Sequence, residues 1–128
     1  MGGASFNLGR LMITFALNPE ADINGTYRIG EVALVPRRLV ERFGPPGESD
    51  GYKVSGMYCF EDSQGRIYTL YDWKETSLFN DGMDEGDESF MPTPDEFWGN
   101  ENPTTLQIGG RDDGDVKAFT TWLAGEVA

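Results

Sequence analysis

The clearest pattern in the chain lies between residues 52 and 74, where apolar and polar positions alternate with the two-residue period of a β-strand. Tyr52, Val54, Gly56, Tyr58 and Phe60 fall on one face of the first run, and Lys53, Ser55, Met57, Cys59 and Glu61 on the other. A polar turn, Glu61 to Gly65, leads into a second run over residues 66–74 and predicts an antiparallel hairpin. This second run has the strongest strand character in the chain, because β-branched and aromatic side chains pack well on a pleated surface. Ile67, Thr69, Tyr71 and Trp73 share one face; Arg66, Tyr68, Leu70 and Asp72 share the other. Large apolar groups on both faces predict a central strand with something packed on each side.

The flanking segments extend this platform. Residues 1–9, with three glycines, are expected to fray. Residues 10–17 read as a short, largely buried strand, with a helical turn as the alternative, and the Asn18-Pro19 and Asn24-Gly25 turns lead to a second strand over 27–35 that pairs back onto it. Pro36 suits the first position of a helix, where its missing N–H costs nothing. Leu39, Val40 and Phe43 give that helix an apolar face, Gly44 stops it in left-handed geometry, and Pro45-Pro46 forbids resumption. Residues 104–108 read as a last strand ending at Gly109-Gly110. A helix over about 113–124 follows, with Asp112, Asp113 and Asp115 in or near its first turn and Val116, Phe119, Trp122 and Leu123 as its buried stripe. The expected fold is α+β: an antiparallel sheet of about four or five strands, a short helix (36–43) and a C-terminal helix.

Composition narrows the chemistry. The 128 residues make one domain, with residues 75–103 as an acidic loop insert. With 22 acidic and 10 basic residues the formal charge is −12 and the pI about 4.2, which repels phosphate backbones and argues against direct nucleic-acid binding. The longest apolar run near the start, residues 11–17, is seven residues and far short of a membrane span. The single cysteine, Cys59, sits inside a strand as an inert thiol, and a reducing, cytoplasmic setting is the default. No histidine is present, so Ser–His and Cys–His nucleophile pairs and histidine metal sites are excluded. Residues 81–88 and 112–115 are rich in oxygen ligands, but neither carries the ordered spacing of an EF-hand. No enzyme activity, cofactor or metal is expected.

Three groups of residues remain as candidates for binding. Gly109, Gly110 and Arg111 join the last strand to the last helix, where glycines let a ligand approach free backbone N–H groups and an arginine can grip phosphate. Their alternative reading is ordinary turn glycines. Tyr71 and Trp73 offer stacking surfaces with Lys74 beside them; their alternative is the core. Arg37, Arg38 and Arg42 form the chain's basic cluster, with Arg38 and Arg42 one helical turn apart; their alternative is a solvated face balancing an acidic molecule.

Four blocks, taken in order, carry a resemblance: Leu39-Val40-Glu41-Arg42-Phe43-Gly44-Pro45, Asp50-Gly51-Tyr52-Lys53-Val54, Ile67-Tyr68-Thr69-Leu70-Tyr71-Asp72-Trp73-Lys74 and Leu106-Gln107-Ile108-Gly109-Gly110. The succession, over about residues 37–110, resembles the first family of anti-Thoeris proteins, small phage-encoded sponges for signalling nucleotides. The acidic insert after Lys74 departs from it. The resemblance implies a non-enzymatic anti-defence protein in the host cell cytoplasm that binds cyclic ADP-ribose-type or cyclic-nucleotide signals without cleaving them. It assigns no ligand residues position by position. On chemistry, Tyr71 and Trp73 are expected to stack the base, and Lys74, Arg111 and the Gly109-Gly110 amides to hold phosphate. Arg38 and Arg42 would add charge in a homo-oligomer, whose subunit interface is where so small a domain would build a concave pocket. The competing expectation is an acidic inhibitor or immunity protein covering a basic surface of a nuclease or DNA-binding partner. There Asp84, Glu85, Asp87 and Glu88 would supply the charge, and Phe97 and Trp98 the anchors.

Overall fold

A computed structural model of the chain describes residues 13–47, 54–73 and 92–128. Five strands, β1 (Phe15–Leu17), β2 (Tyr27–Leu34), β3 (Met57–Asp62), β4 (Ile67–Tyr71) and β5 (Thr104–Gly110), form one antiparallel sheet in the order β1-β3-β4-β5-β2. Three helices accompany it: α1 (Pro36–Phe43), α2 (Pro94–Trp98) and α3 (Val116–Glu126). The α+β class and the central position of β4 follow the alternation pattern, and the β3–β4 hairpin pairs Phe60 with Tyr68 and Tyr58 with Leu70. No helix among the described residues is long and apolar enough to cross a membrane.

One pairing differs from expectation. β2 does not fold back onto β1 but lies at the far edge against β5, while β1 pairs with β3. The Asn24-Gly25 turn, with Gly25 at φ 80°, therefore sits within a connection that carries the chain from one sheet edge to the other. Local turn chemistry marks where a chain reverses, but not which strand it next meets.

Register decides the two faces. Tyr58, Leu70 and Ile108 lie side by side, as do Phe60 and Tyr68, and all three helices pack on this face. Phe119 of α3 meets Phe60 and Tyr68, Phe43 of α1 meets Tyr58 and Phe60, and Trp98 of α2 meets Tyr58. Among the described residues the helices occupy one side of β4, although the strand is buried on both faces as expected. Ile67 and Thr69 on the other side are buried.

The helix ends follow their punctuation. α1 begins at Pro36 and closes at Gly44, whose φ of 85° disfavours a Cβ and whose N–H reaches Val40 O at 2.8 Å. α2 lies inside the stretch expected to be acidic loop. Its capping box explains it: Thr93 Oγ1 accepts from Glu96 N at 3.2 Å, and Glu96 Oε1 accepts from Thr93 N at 3.0 Å. α3 begins three residues later than expected, because Asp115 caps it by accepting from Ala118 N at 3.0 Å rather than lying in its first turn.

Tyr68 and Asp62 connect these parts. Asp62 Oδ1 accepts from Gln64 N (2.9 Å) and Arg66 N (3.0 Å), and Oδ2 accepts from Arg66 Nε (2.6 Å) and the Tyr68 hydroxyl (3.0 Å). The same hydroxyl accepts from Asp115 N at 3.0 Å, at the start of α3. Burial alone would raise the Asp62 pKa, but the hydrogen bonds from Arg66, Gln64 and Tyr68 outweigh it and hold the carboxyl below its usual range. Burial pushes the Tyr68 hydroxyl up to about 12. A carboxylate with a lowered native pKa contributes stability in full above the unfolded value of about 3.9, and that contribution disappears as pH falls through the native value. Asp62→Asn is therefore expected to flatten the loss of stability below about pH 4 in urea titrations. Tyr68→Phe, which leaves Asp115 N without its partner, is expected to cost about 1–3 kcal/mol at neutral pH in the same measurement.

Candidate anion-binding site

The polar side of α1 follows from its apolar side. Leu39 is fully buried and Val40 and Phe43 pack against the core, so the helical period turns Arg37, Arg38, Glu41 and Arg42 outward. These four side chains line a cleft of about 470 Å³ with Val35, Glu101, Glu126, Val127 and Ala128, between α1, the α2–β5 connection and the end of α3. Arg37 Nη1 lies 2.9 Å from Glu101 Oε1, and its Nε 3.6 Å from Glu41 Oε2. Arg42 Nη2 lies 2.6 Å from Glu126 Oε1, and its guanidinium sits 5.1 Å from the centre of the Phe43 ring. The exposed Arg38 side chain makes no hydrogen bond or ion pair among the described residues. A planar guanidinium with free donors is suited to bidentate contact with phosphate or carboxylate. Its neighbours are held by solvent-exposed ion pairs, each contributing about 0–1 kcal/mol, which an incoming anion can replace.

The glycines expected to cradle phosphate have another task. Gly109 and Gly110 belong to β5, where they pair with Arg28 and Tyr27 of β2, and Gly109 also pairs with Thr69 of β4. A Cβ on Gly109 would fall 2.3 Å from Thr69 Oγ1, and one on Gly110 would fall 2.5 Å from Ile29 Cδ1. They admit neighbouring side chains rather than a ligand. Arg111 is committed as well: its Nη2 donates to Asp22 O (2.8 Å) and Asn24 O (2.7 Å), and its Nε to Asn24 O (3.2 Å). Its guanidinium ties down the β1–β2 connection.

Tyr71 projects from the sheet face opposite the helices, beside Met57, Gln107 and Gly109. Burial raises the pKa of its hydroxyl, and the charge of Arg28 opposes that rise. Trp73, just past the end of β4, is 44% exposed. The sheet thus stands between Tyr71 and the α1 arginines, and the expected single site divides. Arg38 and Arg42 come together in the cleft; Tyr71, Gly109, Gly110 and Arg111 do not join them. Lys74, Asp84, Glu85, Asp87 and Glu88 lie outside the described residues. Phe97 and Trp98 are buried, at 3% and 6% exposure, so they are core side chains rather than anchors for a partner.

Trp98 belongs to a polar network that the sequence pattern does not show. Its Nε1 donates to Ser55 Oγ at 3.0 Å, Ser55 Oγ donates to Asp72 Oδ2 at 2.8 Å, and Asp72 Oδ1 accepts from Ser55 N (2.8 Å) and Gly56 N (3.0 Å). Asp72 is fully buried, and burial raises its pKa against the opposing effect of these hydrogen bonds. Its position opposite Tyr71 in the strand alternation is the one signal in the sequence that marks it as inward-facing. Glu101 and Glu126 carry no such signal, because their arginine partners are remote in the chain. Burial likewise raises the Cys59 thiol, away from the reactive thiolate. No cluster of potential metal ligands occurs among the described residues. Compared with known proteins, the chain matches no family model and no curated sequence.

The packing role of Gly109 makes a direct test. Gly109→Ala is expected to lower stability by about 1–3 kcal/mol through overpacking. Adding Thr69→Ala, which removes the obstructing oxygen, should recover part of that loss in urea unfolding. Independent, additive losses in the double variant would contradict the assigned role.

Proposed function

We propose that this chain is a non-enzymatic, phage-type anti-defence protein that sequesters a small anionic signalling nucleotide of the cyclic ADP-ribose or cyclic-nucleotide kind. The cleft at α1 would hold the phosphate. The observation that carries the reading is Arg38, unpaired among the described residues and flanked by Arg37 and Arg42 on a cleft of about 470 Å³. That volume lies within the range of small-ligand pockets, about 300–1,000 Å³. In a molecule of net charge −12, the long-range field does not draw anions in, so capture depends on these local guanidinium groups. The mechanism is equilibrium binding. No bond in the ligand is made or broken, and its removal from solution follows from mass action alone.

Calorimetric titration with cyclic ADP-ribose isomers and cyclic di- and trinucleotides tests the proposal. At least one should bind, and Arg38→Gln should weaken it by about 1.5–3 kcal/mol, the range for a hydrogen bond to a charged group. Absence of binding by every ligand at high micromolar concentration would overturn the reading. Binding that is indifferent to Arg38→Gln would remove the phosphate from this cleft.

A further inference from the structure

The cleft contains its own competitors for an anion. Three arginine and three glutamate side chains line it, so the side-chain charges cancel before any ligand arrives. Glu41 belongs to the same helix as Arg37 and is its neighbour one turn on. Glu101 and Glu126 come from elsewhere, one from the approach to β5 and one from the last residue of α3. Each holds an arginine that would otherwise face a ligand, at 2.9 and 2.6 Å. The Arg42–Glu126 pair is the firmer, since Glu126 is only 30% exposed against 73% for Glu101 and the Arg42 guanidinium also rests on Phe43.

We infer that Glu126, assisted by Glu101, determines the specificity of the cleft, occupying Arg42 and Arg37 so that only ligands with two or more phosphate groups bind well. The inference rests on the cleft being the phosphate site proposed above. Among the described residues a single phosphate group meets one unengaged guanidinium, Arg38; if it displaces a glutamate instead, one carboxylate contact is exchanged for one phosphate contact with little gain. A diphosphate reaches Arg38 and Arg42 together, because side chains one helical turn apart lie about 5–6 Å from each other at Cβ. It gains Arg38 in full and exchanges only one glutamate. Release of Glu126 would also loosen the end of α3, so ligand binding is coupled to that terminus.

Inorganic phosphate and pyrophosphate are sufficient probes, read by arginine side-chain NMR shifts in the full chain. Wild-type protein should bind pyrophosphate at least about tenfold more tightly than phosphate. Glu126→Gln should raise phosphate affinity about two- to fivefold, the scale of an exposed ion pair, and narrow the ratio. In the Arg42→Gln background the same substitution should have no effect on phosphate binding. Glu101→Gln should act in the same direction more weakly, and serves as the readout if Glu126→Gln lowers the unfolding midpoint. Unchanged or weaker phosphate binding in both glutamine variants overturns the inference, as does failure of wild-type protein to bind pyrophosphate at roughly millimolar concentration. The two proposals separate cleanly. Pyrophosphate selectivity governed by Glu126 without binding of any cyclic nucleotide rejects only the assigned ligand. Nucleotide binding with selectivity indifferent to both glutamates rejects only the specificity role.

Discussion

Tyr68 is the side chain on which the arrangement of this molecule depends, because both its ring and its hydroxyl are spoken for. The ring stacks on Phe119 at 4.6 Å and meets the edge of Phe15 at 5.5 Å, which places α3 over the central strand and brings the Phe15 ring of edge strand β1 into the same cluster. The hydroxyl donates to the buried Asp62 carboxylate and accepts from Asp115 N, which fixes where α3 starts. Once α3 is placed, Trp122 packs 5.9 Å from Phe43, and Glu126, one turn later, reaches Arg42 on α1. The arginine cleft is thus a consequence of core packing at the far end of the same helix.

A strongly acidic chain has few cations to spare, and their allocation is informative. Arg66 is absorbed by Asp62, and Arg111 by the carbonyls of the β1–β2 connection. Arg28 engages Glu31 on its own edge strand and Gln107 on β5. Arg66 and Arg111 substitute for regular structure by donating to carbonyls that no ladder satisfies, whereas Arg28 pairs only with side chains. On α1 the pattern changes. Arg37 and Arg42 have partners only at the surface, and among the described residues Arg38 has none. Surface ion pairs add little to stability, so clustering three arginines there is poorly explained by folding alone.

The strands and the first helix were legible because their signals are local. Alternation over 57–62 and 67–71 reports a pleated surface, and Pro36 and Gly44 bracket α1 at the expected residues. Partner choice was not legible. β2 passes to the opposite edge from β1, and the contacts that hold its connection, Arg111 with Asn24 and Asp22, join residues 87 and 89 positions apart. The Gly109-Gly110 pair misled for a related reason: a glycine needed for a side chain of the next strand looks the same in sequence as one needed for a ligand. Of the expected site, Arg38 and Arg42 converge because a helical period is a reliable guide to what shares a face. Tyr71 and Arg111 do not join them, because no local period tells which side of a sheet the helices will choose.

That separation has a chemical consequence for the proposed ligand. Among the described residues lining the cleft there is no aromatic side chain, and Tyr71 lies beyond the sheet. Base stacking at the cleft therefore falls to guanidinium planes, which stack on any base with little preference. A phosphate bound there would meet guanidinium donors, with two carboxylates from outside α1 competing for them. On the proposed reading, discrimination on this surface would come from the number and spacing of negative charges rather than from base identity. A sponge built this way would tolerate different nucleobases while rejecting free phosphate. Such tolerance suits an anti-defence protein that meets a class of polyanionic signals rather than one compound.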